Sequence, residues 1–145
     1  MSSNWVELQP GESIVPDGGE KLWRNINPGW IDAGAISKQA FLPFPKDDYQ
    51  LSCARSSKVD AAEHHREFTE DFGFASVGVW SVTAKDVSEA ELRSIDDSEA
   101  GYGQAKKPAG HAYIDYRSCE SGNARKRSAR HLREAAHKEH PLEEG

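Results

Sequence analysis

The chain has 145 residues and a net charge of −6, with 37% hydrophobic and 29% charged residues. Its four Trp and five Phe can anchor a core, so wholesale disorder is excluded as a description of the chain. No apolar run approaches the roughly 20 residues of a membrane span, so no membrane partner is expected.

The N-terminal Met1-Ser2-Ser3-Asn4-Trp5 has neither a basic start nor an apolar stretch, so it is not read as a signal peptide. Residues 1–11 are expected to be a flexible N-terminus, 12–140 a single domain, and 141–145 a tail. Pro16-Asp17-Gly18-Gly19 is a turn signal, and it predicts a hairpin between Glu12–Val15 and Glu20–Ile26. Asn27-Pro28 reads as an N-cap with proline at the first helical position, giving helical turns over 28–33 closed by Gly34. Ile36–Leu42 is expected to be a strand. Pro43-Phe44-Pro45-Lys46-Asp47-Asp48 must turn or run along an edge, because its prolines lack donors. Leu51–Ala54 makes a short strand.

Ser56-Ser57 is expected to cap a helix over 58–72, with Ala61, His65, Phe68 and Phe72 on its buried face and Gly73 at its end. Ala75–Thr83 is a strand rich in Val and Trp. Thr83 and Asp86 form a capping pair for a short helix near 84–93. Residues 96–110 read as a long loop and His111–Arg117 as a strand. Asn123 is expected to cap a last helix over 123–139. Strict alternation of strand and helix is missing, which points to an α+β fold with a mostly antiparallel sheet and two to four helices.

Candidate chemistry is scattered. Cys53 and Cys119 belong to no zinc-type spacing and read as reduced thiols of a cytosolic protein, and neither a metal nor a cofactor is expected. His65 and Thr69 occupy the spacing where a zinc peptidase has two histidines, so that motif fails. His65 is expected in the core, and His64 in solvent. His111, Tyr113 and Asp115 share one face of their strand, read as a polar surface facing solvent. His111 and Asp115 lie roughly 13 Å apart at strand rise, so a basic His111 must find its orienting partner elsewhere.

Two functional readings follow. The first is a binding domain. Residues 123–145 hold six Lys or Arg against four Glu, while residues 1–122 carry −8. On the last helix Lys126, Arg130, Arg133 and His137 form a basic stripe opposite Ala129, Leu132 and Ala136. The stripe is expected to engage an acidic macromolecular partner. Nucleic acid is disfavoured, because the body is acidic and no aromatic residue lies within 123–140. The second reading is a small enzyme acting on a nucleotide or other anionic substrate. Arg24, Lys46 and Ser52 would bind the substrate, and His111 and Asp47 would move protons. A concave pocket joining these residues would favour it.

The stretches Leu22-Trp23-Arg24-Asn25-Ile26, Gln39-Ala40-Phe41-Leu42-Pro43, Pro45-Lys46-Asp47 and His111-Ala112-Tyr113-Ile114-Asp115 resemble those of small bacterial cytosolic proteins of unassigned function, over roughly residues 20–138. That resemblance implies no activity. Arg24 on one strand and Ser52 on another resemble the Arg and Ser positions of ADP-ribosyltransferase-like folds, without the Glu motif expected downstream.

Overall fold

The computed structural model describes residues 5–100 and 108–141. Its strands are β1 (Ser13–Ile14), β2 (Lys21–Asn25), β3 (Ile31–Asp32), β4 (Ala35–Ile36), β5 (Gln50–Arg55), β6 (Val79–Thr83), β7 (Arg93–Asp96), β8 (His111–Asp115) and β9 (His137–His140). Its α-helices are α1 (Ala61–Arg66), α2 (Ala84–Glu89) and α3 (Gly122–Ala135). Seven strands build one sheet in the order β1-β7-β8-β5-β2-β6-β9, and every pairing in it is antiparallel. The fold is α+β.

The turn at Asp17 forms, with the Gly19 amide donating to Asp17 Oδ1. The hairpin predicted across it does not. β1 pairs with β7 at one edge, while β2 lies three strands further in. Leu22 and Trp23 are both buried, so β2 needs neighbours on either side, whereas Ile14 is 45% exposed and suits an edge. β3 and β4 are joined through Ala33 and Gly34, both at positive φ. Gly34 therefore closes a hairpin instead of a helix, the placement such turns favour. Asn27 does cap the preceding turn, accepting from the Gly29 amide.

The strand predicted over 36–42 is mostly a 3₁₀ turn, Lys38–Phe41. Ala40 and Phe41 are adjacent and both fully buried, which one face of a strand cannot provide. The helix expected over 58–72 begins only at Ala61, capped by Asp60, and becomes π-helical over Glu67–Asp71. Ser57 is diverted to Glu20, to whose Oε2 its hydroxyl donates at 2.6 Å. The inward residues are His64 and Glu67, while His65, Phe68 and Phe72 are half-buried. The Glu67 carboxylate finds its partner in the Ala109 amide at 3.0 Å, which turns this face of the helix toward the sheet.

Thr83 and Asp86 make the expected capping box, but α2 ends at Glu89 and β7 follows it. The face of His111, Tyr113 and Asp115 is not open to solvent: Tyr113 is 1% exposed and Asp115 fully buried. Asp115 accepts from Arg93 Nε at 2.9 Å and Arg117 Nε at 2.8 Å. Arg55 spans Glu20 and Asp96 in the same manner.

The larger core cluster lies on one face of the sheet and joins Leu22, Leu51, Val82, Val87, Ile114 and Leu132. A smaller cluster of Trp23, Ala54, Val59 and Val79 lies on the other face. α3 docks through Ser128, Ala129 and Leu132 and packs on the Lys38–Phe41 turn. Its cap is Ser121, not Asn123, and it stops at Ala135. Residues 137–140 form edge strand β9 against β6, where Glu139 accepts from Ser81 Oγ at 2.6 Å. Both cysteines are free. Among the described residues no helix is long and apolar enough to cross a membrane.

Candidate active site

β2 and β5 pair only at Leu22–Arg55 and Trp23–Ala54, and then separate. The Arg24 side chain bridges the gap, donating from Nε to the Ala40 carbonyl at 2.7 Å and from Nη1 to the Ser52 carbonyl at 2.9 Å. Its guanidinium stacks 5.1 Å from the centre of the Trp30 ring. Arg24 forms no ion pair among the described residues. Burial pushes it down to about 10, partly offset by Cys53, Tyr116 and Asp47, so it remains a cation at neutral pH. A desolvated cation held only by neutral carbonyls favours an anion beside it.

The sheet register assembles the rest. Asp96 lies opposite Ala112, which sets Asp97, the next residue, beside His111. Ser52 lies opposite Tyr113 and His111 opposite Ala54, so Ser52 and His111 are diagonal cross-strand neighbours. His111 Nδ1 meets Asp97 Oδ1 at 2.6 Å, and His111 Nε2 faces Ser52 Oγ at 3.4 Å. Asp97, directly after β7, thus joins His111 on β8, Ser52 on β5 and Arg24 on β2, and these four strands are neighbours in the sheet.

This row borders a cleft of about 260 Å³. Arg24, Ser52 and His111 lie along it, and Trp30, Phe68, Phe72 and Phe74 supply apolar walls. An adjoining lobe of about 200 Å³ shares Arg24, Trp30 and Ser52 and adds Lys46 and Asp47. Lys46 and Asp47 stand on a 3₁₀ turn, Pro45–Asp47, that begins with proline. All five residues proposed for the enzyme reading therefore line two connected lobes. Asp47 is the only carboxylate lining either lobe among the described residues, so the Arg24 and Ser52 pair acquires no glutamate partner here.

Three further features escape a reading of the sequence. Asp97 falls in what looks like a long loop. His64, expected in solvent, is 7% exposed, lines the main lobe, and its Nδ1 has no hydrogen-bond partner among the described residues. Burial, helped by the nearby charges of His111, Arg24 and His65, pushes its imidazole down to about 4, so it is neutral in the cleft. Cys53 also lines the main lobe, but burial pushes its thiol up to about 12 despite Arg24, which removes it as a nucleophile near neutrality.

The basic stripe lies elsewhere, since α3 contributes no residue to either lobe. Lys126, Arg130 and Arg133 are exposed on α3. His137 is exposed too, but it belongs to β9, because the helix ends before it. In comparisons with known proteins, no family model matches the chain, and neither a curated relative nor a solved structure does.

Proposed function

We propose that the protein is a small group-transfer enzyme that acts on an anionic substrate through Ser52. The observation that carries this reading is the Asp97–His111–Ser52 row beside the Arg24 cation, which has no ion-pair partner among the described residues. An aspartate on Nδ1 holds the imidazole so that Nε2 can accept a proton, and the group facing Nε2 is a hydroxyl.

Ser52 Oγ attacks the electrophilic carbon or phosphorus of the substrate while its proton passes to His111 Nε2. Asp97 stabilises the imidazolium. The leaving group departs with the proton that His111 returns. A water then attacks the Ser52-bound intermediate with the same histidine as base, freeing the hydroxyl. Arg24 retains N–H groups beyond the two that donate to carbonyls, and these suit the charge developing at the centre of reaction. The 3.4 Å between Ser52 Oγ and His111 Nε2 is long, as in sites that tighten only around substrate.

Labelling with phenylmethylsulfonyl fluoride followed by peptide mass mapping tests the reading. One equivalent should attach at Ser52. Asp97→Asn should slow labelling about 100-fold, within the range general-base positioning contributes, and His111→Ala should abolish it. Absence of label, or label at another serine, overturns the assignment.

A second reading keeps α3 as a docking face for an acidic protein. Its support is that Lys126, Arg130 and Arg133 are exposed and make no ion pair among the described residues. The two readings use separate surfaces, and reversal of these charges should leave Ser52 labelling untouched.

A further inference from the structure

Two lobes meet at Ser52, and their chemistry differs. Arg24, Trp30 and the exposed Ser52 line both. In the main lobe Phe68, Phe72 and Phe74 join Trp30, with the Phe68 and Phe74 ring centres 5.1 Å apart. Asn25 also lines this lobe, but its amide is occupied within the protein. Its Nδ2 donates to the His64 carbonyl at 3.4 Å, and its Oδ1 accepts from Ser76 Oγ at 2.8 Å. A lobe of about 260 Å³ with such walls admits one ring or a short alkyl chain. The second lobe, of about 200 Å³, is lined by Lys46 and Asp47, both exposed. The Lys46 ammonium lies 5.8 Å from the centre of the Phe44 ring and forms no ion pair among the described residues. A ring face attracts the cation without occupying its donors. Arg24 and Lys46 stand against the single carboxylate of Asp47 in this lobe, which leaves a surplus of one positive charge. That surplus matches one carboxylate better than a doubly charged phosphate.

We propose that the substrate is an ester with two unlike arms: an apolar acyl arm in the aromatic lobe and, on the alcohol side, a short arm ending in a carboxylate beside Lys46. This rests on Ser52 being the nucleophile. The reacting carbonyl then lies at the junction, over Ser52 and beside Arg24. Ser52 Oγ bonds to the acyl carbon, the bond from that carbon to the alcohol oxygen breaks, and the alcohol leaves with the proton returned by His111. Water then hydrolyses the Ser52 ester and releases the acid. The direction follows from burial. The acyl arm stays until water arrives, and the lobe bounded by buried Asn25 and Cys53 can hold it. The alcohol leaves first, past the exposed Phe44, Lys46 and Asp47. A neutral ester of the same shape would fill both lobes but leave Lys46 without its anion. Binding of the remote charge holds the carbonyl on Ser52. Lys46 is accordingly a specificity-determining residue, and it takes no part in proton transfer.

Two measurements on the full chain test the proposal. The first is isothermal titration with phenylacetylglycine and with phenylacetylglycinamide, which share a shape and differ in charge. The carboxylate should bind about ten-fold more tightly, as one hydrogen bond between charged groups gives. Lys46→Met, on an exposed turn, should abolish that preference, and Lys46→Arg should keep it. The second is release of phenylacetate from phenylacetyl glycolate, followed by chromatography beside benzyl hydrogen malonate, the isomer with its ester reversed. The glycolate ester should have the higher kcat/KM. Equal affinity for the two amides, a preference that survives in Lys46→Met, or faster turnover of the reversed ester overturns the proposal. Normal Ser52 labelling without any charge preference would remove this inference alone. Failed labelling with a preference that depends on Lys46 would remove the chemistry at Ser52 and leave the two-armed site standing.

Discussion

The imidazole of His64 couples the cleft to the stability of the whole chain. Burial holds it down to about 4 in the folded protein, whereas an unfolded histidine protonates near 6.5. Between those values the unfolded chain binds a proton that the native chain refuses. The His64 contribution is therefore fully present above about pH 6.5 and is lost as pH falls toward 4. At about 1.4 kcal/mol per unit, the loss is on the order of 3 kcal/mol. Asp96 behaves differently. Burial alone would raise its carboxyl, but hydrogen bonds from Lys58, Ser98 and Arg55 outweigh burial and hold it well below the carboxylate range, so its contribution fades only at more acidic pH. Urea denaturation should give a midpoint that is level near pH 7 and falls between pH 6.5 and 4. His64→Leu should flatten that fall. An unchanged slope in the variant would assign the dependence to another group.

Elements with local signals are visible in the sequence, and those built by distant partners are not. The Thr83–Asp86 box, the Asn27-Pro28 cap and strands β5 and β6 announce themselves within a few residues. β7 does not, because Arg93 and Asp96 look like surface charges until Asp115, Arg55 and Lys58 meet them from other strands. The same blindness hides Asp97, whereas Arg24, Ser52 and His111 stand out on strands that can be read. His64 was hidden by spacing: Ala61, His65, Phe68 and Phe72 repeat at helical intervals, but π-helical bonding over Glu67–Asp71 ends the regular α-helix. Two substitutions follow from the observed packing. Phe68→Ala should lose less than the about 3–5 kcal/mol typical of a fully buried phenylalanine, because Phe68 is half-buried at the cleft wall. Leu132→Ala, at 0% exposure under α3, should lose about 2–5 kcal/mol and release the helix. Thermal melts of the two variants should therefore separate clearly, with Leu132→Ala the lower.

On the scale of the molecule, charge is divided between an acidic body and a basic last helix. Exposed charges without fixed partners contribute little to stability. Reversing Lys126, Arg130 and Arg133 together to Glu should leave the melting temperature within a few degrees of the native value. A large drop would show that α3 neutralises its own body. If an acidic partner docks there, the same variant should lose it, and added salt should weaken the native complex, since exposed charges are screened within about 8 Å at physiological ionic strength.

The gap between β2 and β5 has a consequence for how the molecule can fail. The residues of the site beside it, Arg24, Ser52, His111 and Asp97, come from four separate stretches of chain and meet only because the sheet closes in one register. No short fragment contains the site, and a one-residue slip of β8 would turn His111 to the opposite face. Ser52 reactivity is thus a gauge of complete folding. In a denaturant titration it should vanish along the same curve as the circular dichroism of the sheet. A protease nick anywhere between residues 24 and 111 that lets the pieces part should extinguish it in one step.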